Sequence, residues 1–442
     1  MEKAQATHVA VTALDKYRNI IGEINYMLFL AFIAVLPYPH SISRPIWVAW
    51  LITWLLEFRF TQKPKLASFK DLKPIIPFIG FACWFIIQAV SVLYANDKQE
   101  AFSILGRTVN FVLLLPVAIW GVNERYDWKM CLKVLIATCL ISIFVYVFTF
   151  FWLHNVGRAF DKRAAYDYVL SLNTITDINL HIKHRLHYTT LCCFAICGLY
   201  VLYPSLKDRY GSVRTVVYSI FILTVLSLGI YLTGSREGIL NLIVIFSTMI
   251  FISVPENKKV ATGLLVATLA VAGIFAMFHF HPRLKENSLK EWFTISDNPI
   301  QPSIEPRIAI WHAALEHPEE YSLHGVGAGN SAEYMIAKYK EKGWIAFEER
   351  RYHAHNEYLT QWIELGICGA VFFIAIWLSI LLCYSHGNTR LALFFTEICM
   401  LNMMTDRFLG GIEGIFFCAM GLLIILLCHN RSSLTSTSSS MS

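Results

Sequence analysis

Residues 353–369 read HAHNEYLTQWIELGICG, and how this stretch folds decides what kind of protein the chain is. Apolar residues continue from Trp362 to Cys383, long enough for a bilayer core, which takes ~17 to 25 residues in helical form. Yet Glu357, Gln361 and Glu364 recur at i, i+4 and i+7, which puts them on one helical face. Carboxyls and amides facing lipid are heavily penalised, so that face must look into protein or water. The pattern predicts a membrane helix with His355 and Asn356 at its mouth and a polar stripe turned inward.

The remainder has the same character. Of 442 residues, 56% are hydrophobic, 14% aromatic and 15% charged, with a mean hydropathy of +0.51, a composition that excludes a water-soluble globular domain of this length. Apolar runs recur at 24–38, 44–60, 75–94, 107–122, 131–153, 188–204, 213–233, 237–254, 260–280, 357–383, 390–405 and 412–428. They are continuous rather than alternating, and lipid tolerates only helices or closed barrels. The expected fold class is an all-α polytopic membrane protein with about 12 transmembrane helices and a long, partly helical periplasmic loop. The 11 cysteines all fall in or beside the apolar runs, so they read as small buried apolar residues, not a disulfide framework or metal cage.

Basic residues in the short loops, such as Lys63, Lys65, Arg125, Lys129, Lys207 and Arg209, gather on the side of the termini, which the positive-inside rule makes cytoplasmic. The expected division is a cytoplasmic N-terminus (1–23), a bundle of nine helices (24–280) carrying a periplasmic loop at 154–187, a periplasmic loop domain (281–356), three further helices (357–428) and a disordered cytoplasmic tail (429–442). The start lacks the pattern of a cleaved signal, so the first helix is expected to be an uncleaved anchor. The tail, RSSLTSTSSSMS, is low in complexity. No internal repeat and no Walker-type phosphate loop occurs, and the short inner loops leave no room for a nucleotide-binding domain, which argues against an ATP-driven pump.

Four segments bring chemistry to the outer side. TGSREGIL, Thr233 to Leu240, holds Arg236 in a connection of a few residues between two helices, where a guanidinium can meet a phosphate at headgroup depth, snorkel, or pair with Glu237. Arg307, Trp311 and Leu315 lie at i, i+4 and i+8 and predict a short amphipathic helix; GVGAGN after it reads as a glycine turn or a weak phosphate cradle. His355 can accept a proton near pH 7. IKHRLHYTT, Ile182 to Thr190, places Arg185 and His187 at the same boundary. Asp406 and Arg407, in the last outer turn, are reserve candidates. A basic, His-rich and aromatic outer face suits a polyanion such as a phosphate or diphosphate. His353 and His355, or His181, His184 and His187, have the chemistry of metal ligands. Against a metal, the first two are not at i, i+4 on a helix and no Cys is near.

These segments resemble the bacterial O-antigen ligase and polymerase superfamily. The ligase branch is marked by RxxxL, matched by Arg236 to Leu240; by RxxxW, matched by Arg307 and Trp311; and by HNx9GxxG, matched from His355 and Asn356 through Gly366 and Gly369. The resemblance covers roughly residues 180 to 370 and implies a glycosyltransferase in a GT-C-like membrane fold. That enzyme would sit in the bacterial inner membrane with its site facing the periplasm. The implied reaction moves a glycan from undecaprenyl diphosphate to lipid A-core oligosaccharide in lipopolysaccharide biosynthesis, with inversion, without ATP, metal or other cofactor, and with no nucleic acid as partner. His355 would be the general base and Arg236 and Arg307 catalytic. Arg185, Arg236, Arg307, Asn356, His187 and Arg407 would bind diphosphate or substrate. A polymerase of the same superfamily or a protein O-oligosaccharyltransferase would differ in acceptor. A carrier or flippase would place charge at mid-membrane and show repeats, whereas here it gathers at one face.

Overall fold

Helices form where the apolar runs predict them. The computed structural model describes residues 2–57, 72–157, 185–233, 235–265, 267–268, 306–384 and 389–439. In chain order it contains α1 (Glu2–Val35), α2 (His40–Leu56), α3 (Ile76–Ser91), α4 (Lys98–Trp120), α5 (Trp128–Gly157), α6 (Arg185–Tyr210), α7 (Ser212–Leu232) and α8 (Arg236–Ser253). Three short helices follow, α9 (Pro306–Leu315), α10 (Ser331–Glu341) and α11 (Ile345–Glu349), and then α12 (Glu357–Cys383), α13 (Thr389–Thr405) and α14 (Ile412–Ser439). No strand occurs among the described residues. The chain is an all-α, multi-pass membrane protein: 9 of the described helices are long and apolar enough to cross a bilayer. Two predicted spans, α2 and α13, are shorter, at 17 residues each. Most of the predicted span at 260–280, the long loop up to residue 305, and most of the loop at 154–187 lie outside the described residues. The end segments run on as helix instead of stopping at residues 24 and 428, since each residue added to a formed helix gains a backbone hydrogen bond.

The window Ile412–Asn430 of α14 is 83% buried, against 22% for Arg236–Ser253 of α8, so the last helix is the core of the bundle and α8 a peripheral wall. Trp47, Trp50 and Trp54, at helical spacing on α2, are all buried. Each indole N–H finds an acceptor, at Asn110 Oδ1 (2.8 Å), Tyr126 Oη (2.7 Å) and the Gly121 carbonyl (3.0 Å), as a donor away from water requires. The cysteines are free and, apart from Cys83 and Cys368, buried.

A second, smaller core joins α9, α10 and α11 through Ile310, Ala313, Met335, Tyr339, Trp344 and Phe347, and takes in Leu359 and Ile363 of α12. The first turns of α12 therefore face two ways. Their apolar side packs into the loop domain, while Glu357, Gln361 and Glu364 are buried on the other side, as the polar stripe predicted.

Gly366 divides these turns from the rest of α12, with φ 72° and ψ −179°. A break in a membrane helix strands carbonyls that something must satisfy. Here the glycine turn does so: the N–H groups of Val326 and Gly327 donate to the Ile363 and Glu364 carbonyls at 2.8 and 3.0 Å, and Ile367 N–H donates to the Ser322 carbonyl at 2.8 Å. The approach is close enough that a Cβ on Gly366 would lie 2.6 Å from the Leu323 carbonyl oxygen. GVGAGN is thus a docking turn for α12. Gly366→Ala combines a left-handed φ with that clash, and strain of this kind costs on the order of 1 to 3 kcal/mol. It should lower the thermal unfolding temperature of the purified protein, whereas Gly263→Ala, whose Cβ meets nothing within 4 Å, should leave it unchanged.

Candidate active site

The α7–α8 connection is locked from both sides. Thr233 Oγ1 donates to the Ile230 carbonyl at 2.7 Å and accepts Ser235 N–H at 3.2 Å. Ser235 caps α8 by accepting Gly238 N–H at 3.1 Å. Gly238 packs so closely on α6 that a Cβ there would meet Thr189 at 2.7 Å. Below it, Asn241 Nδ2 donates to Asn402 Oδ1 (2.8 Å) and Asn402 Nδ2 to Thr190 Oγ1 (3.0 Å), tying α8, α13 and α6 together with buried amides. Arg236 and Glu237 are thereby fixed in the first turn of α8.

Glu237 Oε1 accepts from Arg307 Nη2 at 2.5 Å. Four residues on, the same face of α9 presents Trp311, whose indole N–H donates to the Ala354 carbonyl at 2.9 Å. One short helix therefore holds the start of α8 with its arginine and the peptide before His355 with its tryptophan. His355 has φ 45°, a left-handed backbone that side chains other than glycine adopt at a cost. Three contacts retain it: Trp311 on Ala354, His355 N–H on His353 Nδ1 at 3.1 Å, and Asn356, which caps α12 by accepting Leu359 N–H at 3.0 Å. The Asn356 amide also donates to the Met404 carbonyl at 3.2 Å, so the Asn of the His-Asn pair anchors the helix start to α13.

The turn after α13 completes the site. Asp406 Oδ1 lies 3.3 Å from His355 Nδ1 and 4.0 Å from His353 Nε2. Burial alone would raise the Asp406 pKa, but the hydrogen bond from His355 and that ring's charge outweigh it and hold the carboxyl below its usual range. Burial, with the neighbouring His355, pushes His353 down to about 3; Arg407 and Arg307 act on it in the same direction, against Asp406. Both arginines are thus within electrostatic range of the histidine pair. Arg407 Nη2 donates to Glu364 Oε1 at 2.9 Å, and the same oxygen accepts from Ser331 Oγ at 2.6 Å. Glu357 accepts Leu409 N–H at 2.9 Å. His187 packs against Phe408, with ring centroids 5.4 Å apart and the planes tilted by 34°, beside Gly411 and Gly414.

His353, His355 and Asp406 offer three donor atoms within 4.8 Å of one another, enough in principle for a metal ion. The hydrogen bonding points elsewhere. His353 Nδ1 accepts the His355 N–H, so in the neutral ring the proton sits on Nε2, the nitrogen facing Asp406, which leaves no lone pair there for an ion. By the same reasoning, Asp406 holds the His355 proton on Nδ1 and leaves Nε2 as the acceptor, the arrangement of an oriented general base.

The family model described as O-Antigen ligase matches residues 220–374, from within α7 to within α12. Over that stretch, about a third of its 442 residues, the chain is similar to the O-antigen ligase family. The chain is also similar to an uncharacterized protein of Haemophilus influenzae, 20% identical over 392 residues, which is 88% of this chain and 91% of that one. Members of the O-antigen ligase family are glycosyltransferase-like ligases and polymerases, and their substrates are lipid-linked glycans and lipids. Of the residues that sequence singled out in this family's pattern, the helix carrying Arg307 reaches Glu237, next to Arg236, and through Trp311 the peptide before His355. Asn356 follows His355, and Arg407 follows Asp406, which contacts that ring. Arg185 opens α6, and its side chain is outside the described residues. Asp406 and Trp311 carry more of the geometry than their motifs announced. Asp406 was visible as a reserve candidate beside Arg407, and Trp311 as the aromatic of the RxxxW motif, without the partners that the fold gives them.

Two outcomes follow from this geometry. Trp311→Phe removes the donor that holds the left-handed peptide, and a hydrogen bond of this kind contributes about 0.5 to 1.5 kcal/mol; the thermal unfolding temperature of the purified protein should fall by a few degrees. His353, with its folded pKa lowered to about 3 from about 6.5 in an unfolded chain, takes up a proton more readily unfolded than folded. Its contribution is therefore complete above about pH 6.5 and is lost as pH falls from there towards 3. His353→Gln keeps a hydrogen-bond acceptor without the titration and should flatten the loss of thermal stability over that range.

Proposed function

We propose that the protein is an O-antigen ligase, transferring a glycan from undecaprenyl diphosphate to lipid A-core oligosaccharide at the periplasmic face of the bacterial inner membrane. The observation that carries the reading is the His355–Asp406 contact at 3.3 Å, with Arg307 and Arg407 both acting electrostatically on the neighbouring His353: a base oriented by a carboxylate, in a region of arginines suited to a diphosphate. In the reaction, an acceptor hydroxyl oxygen attacks the anomeric carbon while its proton passes to His355 Nε2. The anomeric C–O bond to the diphosphate breaks on the opposite face, giving inversion, and the electron pair leaves with the phosphate oxygen. Arg236 and Arg307 meet the charge growing there; loss of one such donor costs ~3 to 4 kcal/mol in comparable sites. Arg185, His187 and Arg407 complete the donor side, and Asn356 keeps His355 in place. The diphosphate is already an activated leaving group, so neither nucleotide nor metal is needed. A polymerase of the same superfamily would use the same donor and base with a second lipid-linked repeat as acceptor.

The test combines purified protein, lipid-linked glycan and lipid A core, with chelator and without ATP. A glycan ladder on the core supports the ligase; a ladder that grows only on the lipid carrier identifies the polymerase. His355→Ala should abolish transfer while donor binding persists, and wild-type turnover in that variant would remove the base assignment. Arg236→Lys should slow transfer by ~10-fold or more because a point charge lacks the planar fork, and full activity in it would end the bidentate picture.

A further inference from the structure

The arginine assigned above to the donor diphosphate already holds an anion from the protein. Arg307 Nη2 and Glu237 Oε1 are 2.5 Å apart, and the pair keeps access to solvent, with side chains 22% and 13% exposed. Water still reaches the pair, so exchange of one anion for another on Arg307 is open to it in a way that a fully enclosed pair would not allow. Glu237 does not need Arg307 for company, since a carboxylate in the first turn of a helix is favoured by the helix dipole. The other arginine–carboxylate pair of the site is built differently. Glu364 and Arg407 are 1% and 12% exposed, and Glu364 Oε1 is shared with Ser331, so that pair is part of the framework. Glu237 can let go: Ser235 Oγ, 3.3 Å from its second oxygen, offers it a neutral partner.

An arginine at the membrane boundary faces a problem of abundance. Phospholipid headgroups line either face of a bilayer, and each presents a phosphodiester of one negative charge to which guanidinium binds well. A lipid-linked diphosphate presents two phosphoryl groups and can engage two arginines together. We propose that Glu237 is a specificity-determining residue that competes with phosphate for Arg307. Single phosphodiester headgroups are turned away, and a diphosphate, held at the same time by a second arginine, displaces the carboxylate. Selectivity arises here from a cost placed against the wrong ligand. The inference rests on Arg307 being a diphosphate contact, as proposed above.

The test uses the purified, delipidated full chain, titrated separately with phosphatidylglycerol and with undecaprenyl diphosphate while thermal stabilisation is followed. In Glu237→Gln the half-saturating phosphatidylglycerol concentration should fall about tenfold, equivalent to about 1.4 kcal/mol, while that for undecaprenyl diphosphate stays the same or falls. An unchanged response to phosphatidylglycerol overturns the proposal, as does loss of affinity for both lipids, which would make Glu237 a prop for Arg307. Should Glu237→Gln fail to fold, Glu237→Asp, which keeps the charge but shortens its reach, carries the same test with a smaller shift in the same direction. If undecaprenyl diphosphate stabilises neither protein, the donor assignment fails, and the phosphatidylglycerol titration still decides the role of Glu237.

Discussion

The Glu364 carboxylate, 1% exposed beside the break in α12, has to be met by donors, because a buried charge stripped of its partner costs several kcal/mol. Its partners come from two directions, Ser331 at the start of α10 and Arg407 from the turn after α13. Glu357, two turns earlier on the same face, is met by Gln361 and by Leu409 N–H, and Gln361 in turn by Trp84 of α3. Satisfying this stripe joins loop domain, bundle and last turn into one piece. The turn itself, Asp406 to Glu413, is the junction: its residues reach His355, Glu364, Glu357, Arg107 and His40, which lie on segments far apart along the chain. Glu364 Oε1 takes both of its donors, while its second oxygen is buried with no hydrogen-bond partner among the described residues, so the carboxylate depends on Ser331 and Arg407 standing where they do.

The same framework explains how a strained histidine is kept. His355 at φ 45° would relax to an ordinary backbone if the peptide before it were loose. Trp311 takes the Ala354 carbonyl, His353 takes the His355 N–H, and Asn356 is committed to α12 and α13. Strain held by surroundings that over-determine it is a feature of sites where geometry matters more than local stability. The motif spacings acquire a physical meaning in this way. The spacing of four from Arg307 to Trp311 lets one helix face grip both α8 and the histidine loop. The interval from Asn356 to Gly366 is the length of helix between its cap and the break where the glycine turn docks.

Much of this was legible in the chain. Continuous apolar runs fixed the class because lipid allows few alternatives, and the i, i+4, i+7 spacing of Glu357, Gln361 and Glu364 required an inward face before any partner was known. Legibility failed where a residue's meaning depends on something distant. Gly366 looks like one small residue in an apolar helix until the carbonyl of Leu323 is seen against it. Asp406 is one acid in a short turn until the fold brings it to a histidine 51 positions away. Arg307 could be read from sequence as aimed at a ligand, and its ion pair with Glu237 shows that the protein supplies an anion of its own.

That pairing bears on the chemistry proposed for the site. Cations gathered at one end of a membrane bundle repel each other and draw whatever anions are nearby, so a cluster of arginines without carboxylates would be costly to assemble and unselective once formed. Here three charged groups stand beside opposite ones: Asp406 contacts His355, Glu364 holds Arg407, and Glu237 holds Arg307. Groups fixed before substrate arrives need not reorganise as charge develops, which is where electrostatic stabilisation of a transition state comes from. On the proposed reading, the diphosphate enters a site already arranged for it and exchanges places with one carboxylate. The energy of leaving-group departure is then met by guanidinium groups that the buried network has positioned, with no need for a nucleotide-binding domain to supply it.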